Sequence, residues 1–268
     1  MVILPAWISK ISAYLLNYPP IGKAVSSLLG LLEVPILQTV SFLDRHTRLD
    51  YFQDLMRLFT RFYGSRVIPL GISLQSTPSV GSTEEMLGIV RRVTGLAIGY
   101  CYCRSKHGNC ENDVWTCIHV GTAESIKELE GKMPLRTTTV DEVEKILVKS
   151  NEAGLVHQLI TGPIKDYFYV ICNCCPCCCV MLRSTIGYGL GNTALASNFE
   201  AQTDMTSCDH CGQCADRCHF GARVIVEREL EIHSSKCVGC GLCVNHCPLN
   251  AIVMVRRPQS SFKPMDPL

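Results

Sequence analysis

The sequence predicts an α+β protein made of a helical N-terminal region (1–80), a small α/β domain rich in cysteine (81–200), a second cysteine-rich domain (201–256) and an irregular tail (257–268). Three observations support this division. All eighteen cysteines follow residue 100, apolar residues recur at helical spacing before residue 80, and capped helices alternate with apolar strands between residues 82 and 174.

The N-terminal region contains one long amphipathic pattern that ends near Gly64, where a helix is expected to stop. Its apolar stripe consists of Phe42, Leu43, His46, Leu49, Phe52, Leu55, Met56, Phe59 and Phe62. We interpret the stripe as a packing surface within the protein. Docking to a membrane surface or a partner protein is the alternative, because five arginines flank the stripe: Arg45, Arg48, Arg57, Arg61 and Arg66.

Two segments of the middle region share one pattern, a capped helix followed by a strand. Each helix opens with a capping box and stops at a glycine: Ser82-x-x-Glu85 with Gly95, and Thr139-x-x-Glu142 with Gly154. The predicted strands are LAIGYCYC (96–103), LVHQLI (155–160) and YFYVICNC (167–174). Two of them end in Cys-x-Cys. If those two strands are parallel neighbours, their ends bring four thiols together, from Cys101, Cys103, Cys172 and Cys174.

The C-terminal region carries a Cys-x2-Cys-x2-Cys-x3-Cys motif twice, beginning at Cys208 and at Cys237. In such a motif three thiolates ligate one [4Fe-4S] cluster and the fourth ligates the other cluster. The two ligand sets are therefore Cys208, Cys211, Cys214 with Cys247, and Cys237, Cys240, Cys243 with Cys218. Zinc ribbons use paired cysteines and do not match this spacing. The intervening RVIVERELEI (223–232) predicts a hairpin.

These motifs resemble the bacterial two-cluster ferredoxin domain over residues 201–256. The resemblance implies a ferredoxin-like fold, two [4Fe-4S] clusters and single-electron transfer. One residue departs from the family pattern, since His219 follows Cys218 where the family usually has proline. Because this residue follows a ligand, we expect it to leave cluster assembly intact and to tune the potential of the nearer cluster.

Ten cysteines remain outside the two motifs. Four of them, Cys101, Cys103, Cys110 and Cys117, are separated by gaps of one, six and six residues. Four thiols within seventeen residues are enough for a tetrahedral metal site or one [4Fe-4S] cluster. His107 is either a substitute ligand or, as we expect, a nearby loop histidine.

The other six form the run ICNCCPCCCVM (171–181), namely Cys172, Cys174, Cys175, Cys177, Cys178 and Cys179. Adjacent residues of an extended chain point to opposite faces, so the six thiols cannot all face one small site. Pro176 is suited to start a helix. Cys174, Cys175 and one or two later thiols would then converge near its positive end, and the others would pack as small apolar residues.

Residues 80–256 also resemble a group of dicluster ferredoxin-like proteins of anaerobic bacteria and archaea. The shared segments are Cys-x-Cys-Arg (101–104), Glu-Ala-Gly-Leu-Val (152–156) and the cysteine run from residue 172. The resemblance implies an additional metal site upstream, an Fe-S cluster or zinc, and an anaerobic setting. It implies no particular reaction.

Charge and hydropathy predict a cytoplasmic protein. Net charge is +1, without the basic surface typical of nucleic-acid binding. The N-terminus lacks the pattern of a signal peptide, and the apolar run SLLGLLEVPIL is interrupted by Glu33 and Pro35. Clustered cysteines in the reducing cytoplasm bind metals more often than they form disulfides.

Three functions fit these observations. The leading hypothesis is an electron-transfer protein or subunit that exchanges electrons between a partner oxidoreductase, the two clusters and the upstream cysteines. The second is a reductase whose upstream cluster has an open position, with Arg104, Lys106 and His107 as proton donors. The third is a zinc or copper(I) thiolate module for storage or sensing.

Overall fold

The computed structural model describes residues 64–67, 86–130, 134–161, 168–188 and 194–257. The predicted N-terminal helices and the predicted tail therefore lie outside the described residues, apart from residues 64–67 and Arg257. Within the described residues, no helix has the length and apolar character needed to cross a membrane.

A seven-stranded sheet forms the middle of the protein, in the order β4-β2-β3-β6-β5-β1-β7. Neighbouring strands are antiparallel except β1 and β7, which are parallel. The strands are β1 Gly64–Val67, β2 Gly95–Gly99, β3 Cys117–Gly121, β4 Leu135–Thr137, β5 Val156–Thr161, β6 Phe168–Cys174 and β7 Ala194–Leu195. Strand β1 comes from the predicted N-terminal region, so the sheet recruits chain from before residue 80.

Within the part of the chain that the structure describes, five helices accompany the sheet: α1 Met86–Val90, α2 Tyr102–His107, α3 Ala123–Glu130, α4 Val140–Glu152 and α5 Val180–Tyr188. Helices α1 and α4 bury Met86, Val90, Val143 and Leu147 against Ile118 and other apolar residues of the sheet. The cap predicted for α4 is present, because the Thr139 hydroxyl accepts a hydrogen bond from the Glu142 N–H at 3.3 Å.

The structure corrects two predictions about these strands. Strand β2 ends at Gly99, and helix α2 follows, so Cys101 and Cys103 are not on a strand. Strands β2 and β6 run in the same direction but are not neighbours, since β3 lies between them and is antiparallel to both. The prediction missed β3 because its five residues, CIHVG, form only a short apolar run that is interrupted by His119.

The helix predicted to start at Pro176 instead begins at Val180. Residues 176–178 form a turn, in which the Cys179 N–H donates to the Cys175 carbonyl at 3.0 Å. The turn places three cysteines on a tight curve rather than on a helix.

The C-terminal domain consists of two short antiparallel sheets and two one-turn helices. Its elements are β8 Phe199–Thr203, α6 Gln213–Asp216, β9 Arg223–Val226, β10 Glu229–Ile232, a 3-10 turn Ser234–Lys236, α7 Leu242–Asn245 and β11 Ile252–Arg256. Strand β8 pairs with β11, and β9 pairs with β10 in the predicted hairpin. Glu227 and Arg228 form its turn with positive φ.

The C-terminal domain docks onto the end of α4 and the start of β5. The Arg217 guanidinium donates to the Glu152 carbonyl at 3.2 Å, and His219 Nε2 donates to the Gly154 carbonyl at 2.9 Å. The Asn245 amide donates to Asn151 Oδ1 at 2.8 Å. Residue 154 must be glycine, because its φ is +76° and a Cβ there would lie 2.8 Å from Arg217 Nη1. The Glu-Ala-Gly-Leu-Val segment therefore belongs to the contact between the two domains.

Candidate metal centres

The first of the two predicted cluster ligand sets lines one pocket of the C-terminal domain. Cys208, Cys211, Cys214 and Cys247 surround an open space of about 320 Å³, together with apolar side chains that include Leu230 and Ile252. Cys208 and Cys211 come from the loop that enters α6, Cys214 lies within α6, and Cys247 follows α7. This pocket is thus lined by three cysteines of the first motif and one cysteine of the second motif.

The second set, Cys237, Cys240, Cys243 and Cys218, is assembled in the same way around α7. Cys240 has Cys243, Cys237 and Cys218 as its thiol neighbours. Burial raises the pKa of Cys240, and it raises that of Cys243 to about 11. Neutral thiols are therefore favoured unless a positive partner compensates the buried thiolates, which is what a metal cluster provides.

Backbone geometry around both sets fits an iron-sulfur cluster. The Ala222 N–H donates to Cys218 Sγ and the Ala251 N–H donates to Cys247 Sγ, each at 3.3 Å. Such N–H···S bonds stabilise thiolate ligands. Gly239 allows close approach of the chain, because its φ is +71° and a Cβ would lie 2.0 Å from the Phe199 carbonyl oxygen.

Arg223 is a buried cation between the two ligand sets, with 3% of its surface exposed. Its Nη1 lies 2.7 Å from Thr203 Oγ1 and 3.9 Å from Cys214 Sγ. Burial raises the pKa of Cys214 and of Cys243, and the positive charge of Arg223 opposes that increase at both thiols. Sequence reasoning missed this residue, which stands in the predicted hairpin with no neighbouring cysteine.

The ten upstream cysteines separate into different groups, and the four spaced over residues 101–117 do not stay together. Cys110 joins three members of the later run in what we name the four-thiol group: Cys110, Cys175, Cys177 and Cys178. All four sulfurs lie within 4.8 Å of one another. The distances from Cys110 Sγ to the sulfurs of Cys175 and Cys178 are 3.7 and 3.8 Å.

Polar donors surround Cys110 in this group. Burial favours the neutral thiol, but donors from the Asn112 backbone and side chain and from the thiols of Cys177 and Cys175 outweigh it and lower the pKa of Cys110 to about 6. Burial raises the pKa of Cys178 to about 11. A thiolate is thus favoured at Cys110 beside the protonated thiol of Cys178, and a bound cation would stabilise the thiolate further.

The other cysteines at the end of the sheet adjoin one another in what we name the thiol row: Cys101, Cys117, Cys172, Cys174 and Cys179. Strand register explains the row, since Ile118 pairs with Ile171 and the same register places Cys117 opposite Cys172. Cys174 follows on the same face, two residues along β6. Thiols of Cys101 and Cys172 hydrogen-bond to Cys117 and lower its pKa well below the usual value.

Arg104 lies between the thiol row and the four-thiol group and is almost fully buried, with 2% exposure. Its guanidinium donates to the carbonyl of Asp113, to Thr116 Oγ1 at 3.0 Å and to the Asn173 carbonyl at 2.8 Å. Burial opposes its charge, yet the nearby thiols of Cys101, Cys175 and Cys174 raise the pKa of Arg104 above its ordinary value. The arginine therefore remains a cation that compensates thiolates of both groups.

Three polar residues inside the strands hold this arrangement, and sequence reasoning gave none of them a role. The Asn173 amide donates to the Thr116 carbonyl at 2.6 Å, and its Oδ1 lies 2.5 Å from His157 Nδ1. Burial lowers the pKa of His157 to about 4. Gln158 Nε2 lies 3.7 Å from Cys179 Sγ. The signal available in the sequence was a His-Gln pair within the otherwise apolar strand LVHQLI.

The remaining predicted residues lie at the margin of these groups. Cys103 is half-buried on α2, near Cys101, and is not in the four-thiol group. His107 Nδ1 faces Arg183 Nη1 at 3.1 Å. Lys106 Nζ stands 5.5 Å from the centre of the Tyr102 ring. His107 thus faces an arginine and Lys106 faces a tyrosine. His107 does not belong to the four-thiol group.

The thiol row also contacts the C-terminal domain. Val156, Cys174, Cys179, Leu182 and Leu242 form one buried apolar cluster, and Cys240, Phe220 and Val238 pack against it. Since Cys240 belongs to the second predicted ligand set, cysteines of the two domains share one apolar interface.

Comparison with known proteins locates one family in the chain. The family model of the 4Fe-4S dicluster domain matches residues 207–251. No curated protein matches the chain. The chain thus carries a 4Fe-4S dicluster domain near its C-terminus, and this domain together with the four-thiol group indicates an iron-sulfur, metal-binding protein.

Proposed function

We propose that the chain is an electron-transfer protein or subunit in which two [4Fe-4S] clusters exchange single electrons with a further metal centre at the thiol row. Cys208, Cys211, Cys214 and Cys247 hold one cluster, and Cys237, Cys240, Cys243 and Cys218 hold the second. Each bound cluster supplies one-electron oxidation and reduction at low potential. A partner oxidoreductase delivers or receives the electrons.

The observation that carries this proposal is the packing of Cys240 against the apolar side-chain cluster that contains Cys174 and Cys179. A proposed ligand of the C-terminal domain and two thiols of the row thereby lie in one apolar environment. Leu242, with 1% exposure, packs beside them. Direct packing of the residues that hold two centres keeps the path for electron exchange between the centres short.

The thiol row suits a cluster better than a single ion. No three of its sulfurs lie within 4.8 Å of one another in the described part of the chain, unlike those of the four-thiol group. Ligands of a cluster are spread over several metal atoms and so stand farther apart than ligands of one ion. Arg104 supplies a fixed positive charge beside Cys101 and Cys174.

The test is a redox titration of anaerobically purified full-length protein, with iron, sulfide and electron paramagnetic resonance measured on the same samples. We expect about eight irons in the C-terminal domain, each cluster accepting one electron, and further iron upstream. Cys174→Ala should remove the iron bound at the thiol row and its signal while leaving the two C-terminal clusters reducible. If neither C-terminal cluster changes oxidation state, the protein is not an electron carrier.

A further inference from the structure

The four-thiol group joins two parts of the chain that are distant in sequence. Cys110 belongs to the loop between α2 and β3, whereas Cys175, Cys177 and Cys178 belong to the turn after β6. Asn109 reinforces the junction by donating to the Cys177 carbonyl at 2.7 Å. Leu155 packs against the group from the sheet.

The spacing of the sulfurs matches one tetrahedral ion. A metal–sulfur bond of about 2.3 Å places the corners of a tetrahedron about 3.8 Å apart. Three of the six separations are 3.7 Å for Cys110 and Cys175, 3.8 Å for Cys110 and Cys178, and 3.7 Å for Cys177 and Cys178, and all six are within 4.8 Å. A cubane spreads its four ligands over four irons and needs wider spacing.

The C-terminal domain provides an internal comparison. Its eight cysteines match a cluster-binding family, yet within the described residues they form no group whose sulfurs lie within 4.8 Å of one another. The fold therefore spaces thiols differently for the two kinds of site. The close spacing in the four-thiol group is specific to that group.

From this geometry we propose that Cys110, Cys175, Cys177 and Cys178 bind a single thiophilic divalent ion, Zn²⁺ or Fe²⁺, as a centre separate from the clusters. Four thiolates leave the complex with excess negative charge. Arg104 lies beside Cys175, and the Asn112 amide donates to Cys110 Sγ at 3.5 Å, so both offset that charge. The ion links the loop at residues 108–116 to the turn at residues 175–178, because its ligands come from both segments.

The site is not part of the electron route proposed above. Cys174 and Cys175 are adjacent, and Cys174 belongs to the apolar cluster shared with the C-terminal domain, whereas Cys175 belongs to a different one with Cys178 and Leu155. The run of six cysteines is thus divided between the thiol row and the four-thiol group. This inference depends on metal content alone and is independent of whether any cluster is redox-active.

The experiment compares zinc, iron and acid-labile sulfide per chain in the full-length protein and two alanine variants. Cys110→Ala removes a half-buried ligand of the four-thiol group, and Cys211→Ala removes an exposed ligand of a cluster as the matched control. We expect Cys110→Ala to lose most of one zinc or one iron with sulfide unchanged. Cys211→Ala should lose iron and sulfide in equal amounts.

Cobalt is a second, independent probe. Full-length protein produced with Co²⁺ should show the absorption bands of a tetrahedral cobalt–thiolate site. In Cys110→Ala the intensity of these bands should fall at least tenfold. The proposal is overturned if Cys110→Ala loses iron and sulfide together, which would indicate a cluster, or if it loses no metal. The identity of the metal that disappears distinguishes zinc from iron.

Discussion

At the scale of single residues, buried cations are as important as the cysteines. Arg104 and Arg223 are both almost fully buried, and each lies beside thiols of two different ligand groups. A positive charge in a low-dielectric interior stabilises the more negative, reduced state of any neighbouring cluster. Both arginines are therefore positioned to set reduction potentials as well as to neutralise thiolates.

Arg223→Gln should lower the reduction potentials of both C-terminal clusters, because it removes a positive charge that favours reduction. We expect a shift on the order of 50 mV. Redox titration followed by electron paramagnetic resonance measures it. Arg223→Lys should recover most of the potential, and Arg228→Gln, in the exposed hairpin turn, should change nothing. Unchanged potentials in Arg223→Gln would show that the arginine has only a packing role.

At the scale of elements, the end of α4 determines where the C-terminal domain sits. Three side chains of that domain, from Arg217, His219 and Asn245, hydrogen-bond to residues 151–154. We expected His219 to tune a cluster potential. Its bond to the Gly154 carbonyl also gives it a positioning role, since it ties the chain next to Cys218 to the neighbouring domain.

His219→Ala should weaken the docking of the C-terminal domain without loss of its clusters. One neutral hydrogen bond contributes about 1 kcal/mol, so we expect several-fold faster cleavage between the domains in limited proteolysis. Iron and sulfide content should stay constant. The control is His233→Ala, because His233 makes only a long contact of 3.9 Å with Glu231. Equal cleavage of the two variants would contradict the docking role.

At the scale of the whole molecule, one apolar interface unites the upstream sheet and the cluster domain. Leu242 is its most buried residue from the C-terminal side and packs with Val156, Leu182 and Cys179. The same leucine opens α7, which presents the ligand Cys243. Stability of the domain contact and placement of the second cluster are therefore coupled through one side chain.

Leu242→Ala should destabilise this contact by about 2–5 kcal/mol, the usual cost of such a core truncation. We expect an earlier loss of cluster absorbance on heating and weaker magnetic interaction between the C-terminal and upstream centres. Leu249→Ala is the matched control, since Leu249 is 48% exposed, and it should change stability by less than about 0.5 kcal/mol. If Leu242→Ala matches this control, the interface does not support the domain arrangement.

The sequence by itself determined the features that depend on local spacing. Cys-x2-Cys-x2-Cys-x3-Cys identified the dicluster domain, and the capping box at Thr139 located α4, because both are set by residues within one turn or loop. Only the tertiary structure decided how the upstream thiols divide. Strand β3, which was not predicted, places Cys117 between β2 and β6. The turn at residues 176–178 brings Cys175 next to Cys110, whereas Cys174 belongs to the thiol row. Cys117 and Cys172 lie 55 residues apart in sequence, and Cys110 and Cys175 lie 65 apart, so strand order and register, rather than local spacing, bring them together.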